Sequence, residues 1–80
     1  MQSETALRAE EYRRRRHNIE AWDVGITSYK LGGRYRCEVE NADAGVRLAR
    51  GEGTTREEAE AEALKRAREL LARTRVYPLR

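Results

Sequence analysis

The sequence predicts an α+β fold: an N-terminal helix, a three-stranded antiparallel meander, and a C-terminal helix packed on one sheet face. Three features predict it. From Ile19 to about Arg50 apolar and polar residues alternate with period two, as a half-buried strand requires. The turn clusters Leu31-Gly32-Gly33-Arg34 and Asn41-Ala42-Asp43-Ala44-Gly45 interrupt that alternation. From Thr55 to about Arg73 the period becomes helical, with Ala59, Ala63, Ala67, Leu70 and Leu71 on one stripe and Leu64 on its flank.

Residues 1–18 are polar. Ser3 or Thr5 suits the cap of a helix running from about Glu4 to Arg16, with Ala, Leu, Glu and Arg as good helix formers. The apolar stripe of Ala6, Leu7, Ala9 and Tyr12 is thin, and Arg13-Arg14-Arg15-Arg16-His17 follows it. The segment reads as a docked helix or as a frayed arm.

In the first strand Trp22, Val24 and Ile26 share one face, with Asp23, Gly25 and Thr27 opposite. The glycine pair supplies positive φ for the first turn. In the second strand Tyr35, Cys37 and Val39 point inward while Arg34, Arg36, Glu38 and Glu40 point outward. In the third, Val46 and Leu48 are expected inside, with Arg47 and Ala49 outside. Short turns between successive strands imply antiparallel pairing. Gly51 and Gly53 then turn the chain into the helix. Thr55 with Glu58, or Thr54 with Glu57, forms a capping box. Glu57, Glu58, Glu60 and Glu62 come early in the helix and Lys65, Arg66, Arg68 and Arg73 late, an order that suits the helix dipole. The pairs Glu62–Arg66, Lys65–Glu69 and Glu69–Arg73 have i,i+4 spacing. Residues 74–80 read as a loose tail. The 80 residues make one domain, with the sheet at 19–51 and the helix at 55–73.

Composition narrows the function. One His and one Cys give no nucleophile–base–orienter set and no zinc-ligand spacing, so the chain is expected to be non-catalytic and without cofactors. No apolar run approaches the ~20 residues of a membrane span. Cys37 has no second cysteine to pair with, which fits a reducing cytoplasm. Its inward position reads as a small hydrophobe. The net charge is +3, and arginine outnumbers lysine fifteen to two. Arginine favours phosphate forks, although a GC-rich coding sequence also raises it.

Gly51, Gly53, Thr55, Arg56, Ala59 and Ala63 stand in register with the Gly-x-Gly-x-Ser-Lys-Lys-x-Ala-Lys-x-x-Ala-Ala stretch of double-stranded-RNA-binding domains, with Leu64 at the second position of the closing Ala pair. The chain resembles that family, and the resemblance implies a helix, three strands and a helix. It also implies backbone-directed binding of structured RNA. The family's phosphate-gripping lysines fall at Arg56, Glu57 and Glu60, and a glutamate repels phosphate. The family's Gly-Pro-x-His loop has no counterpart in Leu31-Gly32-Gly33-Arg34. Gly53, Thr55, Glu57, Glu58 and Ala59 are also similar to the Gly-x-Thr-x-Glu-Glu-Ala segment of HicB-like antitoxins.

The candidate nucleic-acid contacts are the arm Arg13, Arg14, Arg15 and Arg16, the helix start Arg56, and the helix cations Lys65, Arg66 and Arg68. Each has a plainer reading, as a solvated helix end or a dipole and ion-pair partner. Arg34, Arg36 and Arg47 beside Tyr29 form a further stacking and phosphate surface, which Glu38 and Glu40 neutralise by cross-strand pairing. Two functions follow: a weak binder of structured RNA, or a protein-interaction or antitoxin-like domain acting through a strand edge or as a homodimer.

Overall fold

The computed structural model describes residues 8–73. The expectations for the tail at 74–80 and for Ser3, Thr5, Ala6 and Leu7 lie outside these residues. The elements are β1 (Ala9–Ile19), β2 (Trp22–Leu31), β3 (Arg34–Asn41), β4 (Arg47–Gly53) and α1 (Arg56–Arg73). The strands form one antiparallel sheet in the order β1-β2-β3-β4. The α+β class and the C-terminal helix on one sheet face are as expected. The N-terminal helix and the three-stranded meander are not: residues 9–19 form a fourth strand.

Strand pairing overrides the helix propensity of that segment because of the arginines. A helix would crowd four consecutive guanidiniums around one turn. A strand divides them between two faces, and each face holds acids. Arg13 and Arg15 reach Glu60 on the helix side. Arg14 and Arg16 reach Glu40 and Asp23 on the open side. The turn that makes this hairpin, Glu20-Ala21, carries no Gly, Pro, Asn or Asp, so no turn signal announces it. Glu20 takes φ +54° there, a region that costs an L-residue about 1–2 kcal/mol. Gly at this position gives back part of that in unfolded-state entropy. Glu20→Gly is therefore expected to raise stability by about 0.5 kcal/mol, read as a higher denaturant midpoint at unchanged m.

The second hairpin turns through Gly32 and Gly33, at φ +61° and +85°, the paired positive values of a two-residue turn that matches strand twist. In the third turn the Asn41 side chain accepts hydrogen bonds from the amides of Asp43 and Ala44, at 2.9 and 3.1 Å.

The core lies between the sheet and α1. Val24, Ile26, Cys37, Val39, Ala59, Ala63 and Ala67 are fully buried, and Ile19 nearly so. Trp22, Tyr35, Leu48, Ala49, Leu64 and Leu71 pack around them. The third expected strand is interrupted. Val39 pairs with Ala49 and Glu40 with Arg47, so Leu48 is an extra residue in a bulge. Leu48 packs on the core and Arg47 is exposed, as expected, but the bulge brings Ala49 against the core as well, and Val46 is exposed.

Gly51 and Gly53 also differ from expectation. They lie inside β4 and do not turn the chain. Both are buried under the helix. A Cβ on Gly51 would stand 2.5 Å from the Ala63 amide nitrogen and 2.6 Å from the Ala59 carbonyl oxygen. One on Gly53 would stand 2.5 Å from Glu58 Cβ. The glycines therefore set how closely strand and helix backbones approach, with Ala59 and Ala63 as the small residues opposite. The helix rests mainly on β4 and then β3, and β1 lies beyond its footprint.

Thr55 caps the helix, its Oγ1 accepting from the Glu58 amide at 3.1 Å. The Glu58 carboxylate reaches back to the amide and hydroxyl of Thr54, one residue beyond a standard capping box. Those bonds hold its carboxyl below its ordinary pKa. Of the three expected helix pairs, only Glu62–Arg66 closes among the described residues, at 2.8 Å.

Candidate functional site

Two polar layers sandwich β1. On the helix side, Glu60 is only 8% exposed although it projects from an amphipathic helix. Its carboxylate accepts from Arg15 Nη2 at 3.0 Å, Arg13 Nη2 at 3.2 Å and the Ser28 hydroxyl at 3.0 Å. Burial pushes the Glu60 carboxyl up, but the bonds from Arg15, Arg13 and Ser28 outweigh it and hold the group below its usual range. Ser28 is fully buried, in phase with Val24 and Ile26, and its hydroxyl also accepts from Arg56 Nη1 at 2.7 Å. A buried hydroxyl is tolerated only with such partners.

Arg56, at the first turn of α1, is not held out to solvent. Its side chain is 15% exposed. Its fork donates to the Ser28 carbonyl at 3.3 Å and the Glu11 carbonyl at 2.7 Å. Its guanidinium lies 5.1 Å from the centroid of the Tyr35 ring. Glu11 sits in a bulge of β1 at φ +56°. Arg56 thus satisfies the carbonyls that the bulge and its β2 neighbour present. The Tyr35 hydroxyl donates to Glu11 Oε1 at 2.8 Å, completing the tie between β1, β3 and the helix.

The open sheet face is a layer of cross-strand ion pairs. Arg14 donates to Glu40 at 2.6 Å and to the Thr27 hydroxyl at 3.1 Å, lying across Gly25. Arg16 pairs with Asp23. Arg36 and Arg34 share Glu52, at 3.4 and 3.8 Å, and Arg47 reaches Glu38 at 3.5 Å. Tyr12, 65% exposed, stacks on Tyr29 with ring centroids 5.1 Å apart. The stacking and phosphate surface anticipated around Tyr29 is present as a group of residues, with its cations already paired to Glu38 and Glu52.

The predicted contact residues are therefore not one surface. Arg13, Arg15 and Arg56 converge on the helix side of β1, and Arg14 and Arg16 lie on the opposite face. Arg66 lies on the far side of α1, where Nη1 donates to the Arg50 carbonyl at 3.0 Å. Lys65 and Arg68 are exposed and make no ion pair among the described residues. Sequence reasoning missed Glu60 and Ser28. Ser28 gave one signal, a polar residue at an inward strand position.

The backbone of β1 completes the site. A two-residue turn makes Ile19–Trp22 a hydrogen-bonded pair, and antiparallel alternation follows from it. Arg13, Arg15 and His17 bond inward to β2, while the N–H and C=O groups of Arg14, Arg16 and Asn18 face outward from the sheet edge. The Asp23 carbonyl, bonded by the Ala42 amide at 2.9 Å, confirms this phase from the other side of β2. The edge at β4 differs, because Arg66 covers its Arg50 carbonyl and a bulge interrupts it. Among the described residues nothing covers the β1 edge.

Cys37 is buried beside this network. Burial first, and then the Glu60 charge, push its thiol up to about 12. A cleft of about 320 Å³ opens between the β1–β2 turn and the end of α1, lined by Ile19, Trp22, Arg68 and Leu71 among others. No group of His, Cys, Asp and Glu among the described residues is placed to hold a metal ion, and no described helix is long and apolar enough to cross a membrane. No protein-family model, curated protein or solved structure matches this chain.

Proposed function

We propose that this domain is a non-catalytic binding module that takes an extended segment of a protein partner along the β1 edge, by strand addition. The single observation that carries this reading is the edge at Arg14, Arg16 and Asn18, uncovered among the described residues on a strand of 11 residues, while the β4 edge is seven residues long, bulged, and has its Arg50 carbonyl bonded by Arg66. An added strand gains main-chain hydrogen bonds from such an edge without any change of fold. The bulge at Glu11, plugged by Arg56, limits the usable length to the stretch from Arg13 to Ile19.

Structured RNA remains the competing reading, and of the predicted contacts Lys65 and Arg68 are exposed with no ion pair among the described residues. Arg56 supports it less, since its guanidinium is occupied within the protein. The two readings separate on chemistry. A strand edge alternates donors and acceptors, whereas a phosphodiester offers acceptors only and would leave the outward carbonyls unpaired.

The test is a displayed library of random seven-residue peptides selected on the full chain and re-measured on Arg16→Pro. Proline removes the outward N–H of Arg16 and blocks an incoming strand, while the bonds to β2 stay in place. The expected result is a set of peptides whose affinity falls at least tenfold in the variant, whose Tm stays near that of the parent. Peptides that bind both proteins equally overturn the edge reading. So does an RNA duplex that binds with salt-sensitive shifts at Lys65 and Arg68 while no peptide does.

A further inference from the structure

We infer that the segment added to β1 is acidic, with a short run of consecutive carboxylates. This rests on the edge reading and names the partner's chemistry. Four arginines in succession, Arg13 to Arg16, place guanidiniums on both faces of one strand, and their side chains remain 41–67% exposed. Each guanidinium has five N–H donors. Arg13 and Arg15 each give one to Glu60, Arg16 one to Asp23, and Arg14 one each to Thr27 and Glu40. Among the described residues, these four cations therefore face three carboxylates, Glu60, Glu40 and Asp23, and most of their donors have no partner. A strand laid beside β1 would send its side chains alternately to the two faces. Because both faces carry arginine, adjacent acids on the partner would all find a guanidinium, whereas acids at every second position would use one face only.

The same charges argue against a second copy of this chain as the partner. Any antiparallel self-pairing centred between Arg14 and Arg16 sets arginine opposite arginine, and like charges directly opposite each other are destabilising. The basic stretch is also bounded. Glu10 and Glu11 precede it, and Glu20 follows it in the turn. Eight positions separate Glu11 from Glu20, so an acidic run longer than about eight residues would stand opposite those glutamates and be repelled. The site thus fits a short acidic strand better than a polyanion of continuous charge.

The experiment uses the isotope-labelled full chain. It is titrated with a capped seven-residue peptide holding four consecutive glutamates between valine and threonine, with the glutamine counterpart, and with an RNA duplex, at low and moderate salt. The glutamate peptide is expected to bind at least tenfold tighter than the glutamine one, and more weakly as salt rises. It should protect the amides of Arg14, Arg16 and Asn18 from exchange, with smaller changes at Arg13, Arg15 and His17. Equal affinity for the two peptides, with the same amides protected, overturns the acidic partner and leaves the edge reading standing. Shifts without amide protection mean charge attraction without strand addition, which overturns both. An RNA duplex that binds tighter than the peptide and protects none of these amides also overturns both. A tight homodimer through β1, seen by sedimentation over a concentration series, overturns the acidic partner in favour of a second copy.

Discussion

Gly51→Ala is expected to cost about 3 kcal/mol or more, the upper part of the range for overpacking, and to bring a domain of this size close to unfolding. The added methyl would fall 2.5 and 2.6 Å from two backbone atoms of α1. Neither can swing away as a side-chain end could, so helix and sheet must separate. Separation strips contact from Ala59, Ala63, Ile26 and Val39 together. A control is built into the sheet. A Cβ on Gly25 meets the far end of the Arg14 side chain at 3.0 Å, which is free to move, so Gly25→Ala should cost well under half as much. Urea midpoints of the two variants check this. Similar losses at both positions would show that strand entropy, and not the helix approach, sets the demand for glycine.

Glu60→Gln is expected to destabilise by about 2–3 kcal/mol, through weakened bonds to Arg13 and Arg15 and a disturbed Ser28. The loss stays below that of a fully buried ion pair because both arginines are about half exposed. The sign of its pH dependence follows from the depressed carboxyl. The folded state holds Glu60 ionised more strongly than the unfolded chain does. Its contribution is therefore present above the ordinary glutamate value of about 4.3, and is lost as pH falls through the lower folded value. The parent should lose stability between pH 5 and 3 more steeply than Glu60→Gln, in chemical denaturation at a series of pH values. Parallel curves would remove Glu60 from the acid response. Since Glu60 bonds the two helix-side arginines, the variant should also loosen β1, seen as faster amide exchange at Arg13 and Arg15.

Glu60 also shows where reading the sequence stopped. On a helical wheel it is one more acid near a helix start. Its role exists only because β1, 45 residues earlier for Arg15, passes within reach of it. The N-terminal segment failed for the same reason. Its Ala, Glu and Arg content favours a helix, and nothing local shows that acids on β2, β3 and α1 will divide its arginines between two faces. Ala49 departed from expectation differently. Alternation predicts faces only while the ladder is unbroken, and the bulge at Leu48 lets two successive residues, Leu48 and Ala49, pack on the core. Arg56 stands out in the sequence for its place in a motif, while the carbonyls that occupy its fork belong to Glu11 and Ser28, distant in sequence.

What the sequence determined by itself is the local part of the fold. The period-two alternation through Trp22, Val24 and Ile26 and through Tyr35, Cys37 and Val39, the glycine-pair and Asn41 turns, the Thr55 cap and the alanine stripe all act between near neighbours. Steric preference and periodic burial decide them before any distant contact forms. The tertiary structure alone decided that residues 9–19 form an edge strand, that Gly51 and Gly53 make room for a helix backbone, and that Glu60 and Arg56 tie that strand down. Those outcomes depend on charges and backbones separated by tens of residues, and only the folded chain brings them within hydrogen-bonding distance.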